Sequence, residues 1–342
     1  MPQDRQSLSF RSRISRRKLL GGGLGLAASM ALPGCSPQLG SKLTAADTHP
    51  ADYPTVQAVE FMGRFLAERT DGRLDIKVFS GGQLGSESDT LEITSFGGID
   101  LNRVFFAPLN SFEPMTQTFS LPFLFDSVAH MRRVVDSEVG ADVLGSLNRH
   151  GLIGLCIYDS GARNFYNARR PIRTLDDMAG LKLRVPPSDL SVAMVNALGA
   201  NAVPIPLGEV YQALAQGVID GAENNIPSFV SGRHNEVAGF LSRSEHLFTP
   251  EALVMSKTSW DNLSGNDQQL MREAARQSVP FMRGLWDARV AQAEAEMVQS
   301  GVQVDTVDRE PFAALMRPVW DQFITSPQQK RVVEQVLAMR EE

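Results

Sequence analysis

Cysteine is scarce in this sequence: there are two in 342 residues, Cys35 and Cys156. Only Cys156 is certain to remain after N-terminal processing, and one thiol cannot form an intramolecular disulfide, so a disulfide framework is excluded. Cys156 lies in an apolar run, residues 152–157, that is typical of a buried strand. We predict that it is a small core residue rather than a reactive one.

Motifs for metal binding and catalysis are also missing. The five histidines show no paired helical spacing, and there is no Cys-x-x-Cys and no Gly-x-Ser-x-Gly. Residues 23–28 match the looser dinucleotide fingerprint, but no strand precedes them; residues 81–85 lack the Gly-Lys-Ser/Thr of a phosphate-binding loop. The sequence therefore predicts no catalytic residues, no metal and no cofactor.

Excess positive charge is confined to the N-terminus. Residues 1–34 carry six basic side chains and one acidic one, so the net charge of −6 leaves about −11 on the remainder. Nucleic acid is an unfavourable partner for such an acidic body. A bound anion would need a few local cationic groups, which makes individual buried arginines informative.

The N-terminal residues 1–34 are interpreted as an export signal. Their apolar stretch, residues 19–32, is too short and too glycine-rich to span a bilayer stably. Arg16 and Arg17 lie in SRRKLL, which resembles the twin-arginine export motif. The sequence LPGC at 32–35 resembles a lipobox, although Pro33 departs from the usual pattern. The protein is thus predicted to reach the periplasm, either lipid-anchored through Cys35 or released by cleavage near residues 29–31.

Beyond residue 40, short apolar runs alternate with segments of helical period, which is the signature of an α/β fold. Strands are predicted at residues 42–46, 74–79, 101–106, 152–158, 181–185 and 218–220. Helices are predicted from Pro54 to Gly72, after the capping boxes at 86–89 and 174–177, and over residues 188–198, 207–216, 267–300, 312–324 and 328–339. Pro280 and Gly284 are expected to bend the long helix.

Two α/β blocks without a flexible linker predict two lobes that share crossing strands. Lobe I is assigned residues 41–160 and about 249–288, and lobe II residues 161–248 and about 289–342. The cleft between them is the expected ligand site.

Several motifs occur in an order that resembles one transport family. They are GQLGSE at 82–87, LPFLF at 121–125, GLKLRVP at 180–186, ALGAN at 197–201 and EVYQALAQGVIDGAEN at 209–224. Together they are similar to the substrate-binding subunits of tripartite ATP-independent periplasmic (TRAP) transporters, the DctP type, over roughly residues 43–325.

This resemblance implies a two-lobed, type II-like periplasmic binding protein, spanned by a long bent helix, that closes on a small carboxylate ligand. Its partner would be a TRAP membrane permease driven by an ion gradient, so the protein would meet the membrane only through the permease or a lipid on Cys35. The family pattern places the ligand carboxylate on Arg184 and assigns further ligand contacts to Asn224 and Arg163.

The residues themselves support Arg184. In the predicted strand 181–185, Leu181, Leu183 and Val185 share one face, so Lys182 and Arg184 share the other. A guanidinium can meet a carboxylate with two parallel hydrogen bonds, which lysine cannot do. The alternatives are an intramolecular ion pair for Arg184, a solvated loop position for Arg163, and a turn role for Asn224 or Asn225.

Other polar positions suggest a ligand with several hydroxyl groups. His49, Asn102 and Arg103 add imidazole, amide and guanidinium groups near predicted strand ends, and Glu87 and Ser160 complete the predicted set together with Asn225. These features resemble binders of sugar acids, uronates in particular. Phe105 could equally favour an apolar acid. The alternatives are a keto acid or dicarboxylate ligand, a periplasmic ligand sensor, or a periplasmic enzyme on the same scaffold.

Overall fold

The structure, a computed structural model, describes residues 41–340. The predicted export signal, its twin arginines and Cys35 lie outside the described residues and stay predictions. The described part contains eleven strands. They are β1 (Ser41–Ala46), β2 (Leu74–Phe79), β3 (Leu101–Phe105), β4 (Leu152–Tyr158), β5 (Arg163–Asn167), β6 (Lys182–Val185), β7 (Asn201–Pro204), β8 (Gly221–Asn225), β9 (Phe240–Leu247), β10 (Glu251–Ser256) and β11 (Gln303–Thr306).

Thirteen α-helices surround these strands within residues 41–340. They are α1 (Pro54–Arg69), α2 (Glu87–Ser95), α3 (Phe106–Phe112), α4 (Val128–Val135), α5 (Glu138–Gly145), α6 (Asp189–Ala197), α7 (Val210–Ala215), α8 (Ile226–Ser231), α9 (Lys257–Asp261), α10 (Gly265–Gln299), α11 (Arg309–Ala314), α12 (Arg317–Phe323) and α13 (Pro327–Ala338). Short 3-10 helices occupy Pro114–Ser120, Ser146–His150, Leu175–Met178, Leu207–Glu209 and His234–Glu236.

Local signals in the sequence account for several helix starts. Pro54 is the first residue of α1, where its missing N–H costs no hydrogen bond. The Ser86 hydroxyl accepts from the backbone N–H of Asp89, whose carboxylate accepts in return from the Ser86 N–H. Thr174 and Asp177 form the same reciprocal capping box. Both predicted capping boxes are confirmed.

The strands form two sheets of mixed direction. The five-stranded sheet has the order β2-β1-β3-β10-β4, in which only β10 runs antiparallel to its neighbours. The six-stranded sheet has the order β11-β9-β5-β8-β6-β7, in which β5 is antiparallel to both β8 and β9. The α/β class and the two-lobed architecture predicted from the sequence are confirmed.

Two short connections carry the chain between the sheets. Residues 159–162 lead from β4 to β5, and residues 248–250 lead back from β9 to β10. Gly161 has a φ of +64°, and a Cβ there would lie 3.1 Å from Cζ2 of Trp286 on α10, so the first connection depends on glycine. The predicted lobe boundaries near residues 160 and 248 fall in these connections and stay a prediction.

Helix α10 reaches both sheet layers. It packs against α1 and β4 on the side of the five-stranded sheet and against α8 on the other side. Pro280 lies inside this 35-residue helix. The long helix is confirmed, and its bend stays a prediction.

The C-terminal helix belongs to the core of the five-stranded sheet. Val332, Val333 and Val336 of α13 pack in one buried cluster with Phe119 and Met131. The predicted assignment of residues 289–342 to lobe II did not anticipate this packing. The three valines recur at helical spacing and form an apolar face that could pack against either sheet. The sequence pattern alone therefore does not show which sheet the helix covers.

Several predicted elements have different bounds in the structure, among them the following three. The strand predicted at 218–220 lies instead at β8, because the N–H groups of Val218 and Ile219 bond to Ala213 O and close the end of α7. The strand predicted at 101–106 ends at Phe105, since α3 begins at Phe106. The helix predicted at 312–324 is divided into α11 and α12, with a proline in the first turn of the latter.

Candidate functional site

A cavity with about 310 Å³ of empty space, open solvent included, lies where strand ends of the two sheets face each other. The side chains of the five-stranded layer, here called the five-strand wall, are His49, Glu87, Arg103, Phe105 and Glu251. Those of the other layer, the six-strand wall, are Arg163, Arg184, Pro186, Leu207, Asn224, Asn225 and Ser228. Ser160, on the first connection, completes the lining.

Nine of the ten residues predicted as ligand contacts line this cavity. Asn102 is the exception: its buried side-chain amide donates to Oγ1 of Thr90, 3.1 Å away on α2. Alternation explains the difference, because Asn102 lies between residues Leu101 and Arg103 on β3 and its side chain points away from that of Arg103.

Four lining residues were not predicted: Pro186, Leu207, Ser228 and Glu251. Pro186 is the last residue of the motif GLKLRVP that contains Arg184, so its position could have been inferred. Glu251 is the first residue of β10, ahead of an apolar strand, and no local signal links it to residues on other strands.

Arg184 is a buried cation without a carboxylate partner. It is 3% exposed, on β6, and its Nε donates to the Ile205 carbonyl at 2.6 Å. No described residue forms an ion pair with it or accepts a hydrogen bond from its two terminal nitrogens. Burial lowers its pKa to about 10, which leaves it charged at neutral pH. The alternative of an intramolecular ion pair does not apply to the described residues.

Arg163, at the start of β5, is buried rather than solvated and is fully engaged with Glu223. Its Nε and one terminal nitrogen donate to the two Glu223 carboxylate oxygens at 2.6 and 2.8 Å. Burial alone would raise the pKa of Glu223, but Arg163 and His246 outweigh it and hold that pKa at about 2. Arg163 therefore brings little free positive charge to the cavity.

Arg163 also orients Asn224. Its other terminal nitrogen donates to Oδ1 of Asn224 at 2.7 Å, and the Asn225 N–H donates to the same oxygen at 2.8 Å. The Nδ2 group of Asn224 has no hydrogen-bond partner among residues 41–340. This amide can therefore donate to a ligand in the cavity.

Asn225 has a structural role at the same strand end. Its Oδ1 accepts from the Ser228 N–H at 2.7 Å and so caps the N-terminus of α8. Its Nδ2 donates to the Ser160 hydroxyl at 3.1 Å. Both side-chain groups of Asn225 are thus occupied, which agrees with the alternative of a turn role.

Arg103 on the five-strand wall is surrounded by three carboxylates. It contacts Asp47, donates to Glu87 at 2.6 Å, and lies 3.5 Å from Oε2 of Glu251. Burial alone would raise the pKa of Glu251, but Arg103 and His49 lower it overall. The imidazole of His49 stacks on Tyr53, with ring centroids 3.8 Å apart, and faces Glu251 at 3.7 Å.

Contacts cross from one wall to the other. The Tyr53 and Ser228 hydroxyls are 2.8 Å apart, and the Arg163 guanidinium lies 4.6 Å above the centre of the Phe105 ring. Phe105 is thus covered by a cation, which is compatible with a polar ligand.

The part of the chain that the structure describes contains no cluster of three or more His, Cys, Asp or Glu side chains able to hold a metal ion. Nor does any helix among those residues have the length and apolar character needed to cross a membrane. Cys156 is buried on β4, and burial raises the pKa of its thiol to about 12, so the thiolate nucleophile is absent at neutral pH.

The chain is similar to known proteins over most of its length. Residues 45–326 match the family model described as bacterial extracellular solute-binding protein, family 7. A solute-binding protein of Chromohalobacter salexigens is 42% identical over 277 residues, which cover 81% of this chain and 82% of that relative.

Two solved TRAP periplasmic solute-binding proteins share the fold. The protein of a Bradyrhizobium species, in complex with α/β-D-galacturonate, has a TM-score of 0.86 and 47% identity, over 87% of this chain and all of its own. The protein of Chromohalobacter salexigens, with bound D-glucuronate, has a TM-score of 0.85 and 39% identity, over 87% of this chain and all of its own.

Proposed function

Because the chain belongs to the bacterial extracellular solute-binding protein family 7, the DctP family, we propose that it captures a hexuronate such as galacturonate or glucuronate and delivers it to a TRAP permease. The ligands of the two solved relatives support this choice, since both are hexuronates. The predicted family assignment is confirmed, and the ligand itself is the proposal.

The observation that carries the proposal is the unpaired guanidinium of Arg184. A buried cation without a counterion is costly, and a carboxylate that binds to it supplies the missing charge and two hydrogen bonds. Arg163 and Arg103, the other two arginines of the cavity, already have carboxylate partners. The ligand carboxylate therefore binds at Arg184.

The remaining polar groups suit hydroxyls rather than a second charged group. Asn224 offers the free Nδ2 donor, and Glu87 uses only Oε1 to accept from Arg103 and from the Phe105 N–H. Its Oε2 is available to accept from a ligand hydroxyl. An apolar keto acid would leave these two groups of the cavity without partners, which disfavours its binding.

The family consists of the substrate-binding proteins of transporters, not of enzymes. We propose that this chain returns its ligand unchanged. We further propose that it works outside the cytoplasm after twin-arginine export, in keeping with an extracellular family. The two predicted processing routes differ at Cys35, which either carries a lipid or is removed by cleavage before it.

Isothermal titration calorimetry of the mature protein tests the proposal. D-Galacturonate and D-glucuronate should bind, whereas D-galactose, which has the hydroxyls but no carboxylate, should bind at least about a hundredfold more weakly because Arg184 stays unpaired. Binding of dicarboxylates or keto acids with no binding of either uronate would contradict the uronate proposal. Chromatography of the recovered ligand should show it intact; conversion would indicate an enzyme.

A further inference from the structure

The two walls of the cavity differ in charge. Glu87 and Glu251 of the five-strand wall, together with the buried carboxylate of Asp47, surround the single guanidinium of Arg103. Counting histidines as uncharged, this cluster has an excess of negative charge. On the six-strand wall, Glu223 neutralises Arg163, and the charge of Arg184 remains.

Glu251 is the least satisfied member of the negative cluster. It is 2% exposed and lines the cavity, yet its Oε2 has no hydrogen-bond partner among the described residues. The nearest basic groups are Arg103, 3.5 Å from its Oε2, and His49, 3.7 Å from its Oε1, both beyond good hydrogen-bond distance. A ligand hydroxyl that donates to Glu251 would satisfy this carboxylate, whereas a ligand carboxylate would repel it.

We propose that Glu251, together with Glu87, makes the site select an acid with one carboxylate and reject an acid with a carboxylate at each end. This inference rests on the proposed uronate function. Arg184 on the six-strand wall takes the first carboxylate, and the small cavity then directs the far end of a six-carbon ligand to the five-strand wall. A hydroxyl there meets a hydrogen-bond acceptor, and a second carboxylate meets buried negative charge.

The test compares two six-carbon acids: galacturonate, with one carboxylate, and the aldaric acid galactarate, with two. Kd values for both, by calorimetry or by displacement, are measured for the parent and for Glu251→Gln. The substitution keeps the size of the side chain and removes its charge. The ratio of the galactarate Kd to the galacturonate Kd should fall by about tenfold or more, because the repulsion of the second carboxylate is relieved.

Two further variants make the result decisive. Glu68→Gln, at an exposed position on α1, removes the same charge outside the cavity and should leave the ratio unchanged. If the melting temperature shows that Glu251→Gln does not fold, Glu87→Gln provides the same test on the other carboxylate.

The outcomes separate the two proposals. A ratio that stays within threefold of the parent in a folded variant overturns the inference, as does a parent protein that binds galactarate as tightly as galacturonate, and either result leaves uronate binding intact. A parent protein that binds neither galacturonate nor glucuronate overturns the proposed function and the inference with it.

Discussion

Three buried arginines line the cavity, and they differ in the carboxylates that neutralise their charge. Arg103 and Arg163 have carboxylate partners within the protein, and Arg184 has none among the described residues. The same side-chain type therefore has different roles here: Arg163 holds Asn224 in place, and Arg184 is available for a ligand. Substitutions at the two positions should differ accordingly.

Arg184→Ala should weaken uronate binding by about 30-fold to several thousand-fold, because the ligand carboxylate loses a buried charged partner. Arg184→Lys should restore little of this affinity, since an ammonium cannot make the two-pronged contact. Calorimetry measures both effects.

The unliganded melting temperature is the control for Arg184→Ala. It should not fall, because the substitution removes a buried charge that lacks an ionic partner. Arg64→Ala, an exposed arginine on α1, should leave affinity unchanged. Affinity of folded Arg184→Ala within threefold of the parent would remove Arg184 from the site.

Arg163→Ala should instead lower the free energy of unfolding by about 3–5 kcal/mol, because it leaves the Glu223 carboxylate buried without its partner. Urea unfolding of the unliganded protein measures this change. Equal stability of Arg163→Ala and the parent would show that the buried pair contributes nothing. The double variant Arg163→Ala with Glu223→Gln should recover part of the loss.

The pH dependence of stability should contain a contribution from His234. Burial, reinforced by the charge of Arg184, lowers the pKa of His234 from 6.5 to about 4, and its Nδ1 lies 2.7 Å from the Tyr166 hydroxyl. The unfolded chain therefore binds a proton between these pH values and the folded protein does not. The contribution of His234 to the free energy of unfolding is fully present above pH 6.5. It is lost as pH falls to 4, which lowers the free energy of unfolding by up to about 3 kcal/mol.

His234→Asn should flatten this part of the profile while leaving an acceptor for Tyr166. Urea unfolding at intervals from pH 7 to pH 4 measures the slope for variant and parent, without ligand. Parallel profiles would contradict the assignment of the slope to His234.

Residue-level reasoning from sequence succeeded where alternation on one strand fixes direction, as for Arg184 opposite Leu183. It failed where partners come from distant strands. The pairing of Arg163 with Glu223 requires the register of β5 against β8, and Glu251 reaches the cavity only because β10 pairs between β3 and β4. No local pattern contains this information.

At the scale of elements, strands with clean alternation and helices with capping boxes were predictable. The 3-10 helix Pro114–Ser120 and helices α4 and α5 were not assigned, and neither were β5, β9 and β10. Strand β5 is polar in sequence, RNFYN, yet every residue is buried, because its side chains pair with groups such as Glu223 from neighbouring strands. Burial of this kind depends on tertiary partners rather than on hydrophobicity.

The connection from β4 to β5 is held by an ion-pair network on Asp159. Its buried carboxylate accepts from Arg132 on α4 and from Arg283 on α10, which pair in turn with Asp287 and Asp136. Asp159 thus links the connection to the helix that reaches both sheets.

Asp159→Asn should lower the free energy of unfolding by about 1.5–3 kcal/mol, the range for hydrogen bonds to charged groups. The loss should stay moderate because both arginines keep a second carboxylate. Urea unfolding measures it, with Asp142→Asn on the exposed face of α5 as the control of equal charge change. A difference below 0.5 kcal/mol between the two variants, roughly the effect of an ordinary surface substitution, would mean that the network does not stabilise the connection.

At the scale of the whole molecule, negative charge dominates outside the N-terminus, while the ligand proposed for the cavity is itself an anion. Long-range attraction therefore does not explain capture, and the affinity must come from short-range contacts in the cleft. Uronate affinity should accordingly depend on Arg184 far more than on ionic strength, because buried pairs are screened much less by salt than exposed charges.

The cellular location of the protein is predicted from residues 1–35 alone. Paired arginines followed by a weakly apolar, glycine-rich segment indicate twin-arginine export, in which the pair itself is recognised rather than its charge. Replacing both Arg16 and Arg17 by lysine keeps the charge and should retain the precursor in the cytoplasm, which cell fractionation and immunoblotting can follow. Replacing Arg11 and Arg13 by lysine makes the same chemical change outside the motif and should leave export normal. A normal periplasmic yield from the Arg16/Arg17 variant would refute the twin-arginine route.

Cys35→Ala, with the export route intact, separates the two processing alternatives. Loss of membrane association would indicate a lipid anchor, and an unchanged released fraction would indicate cleavage before Cys35.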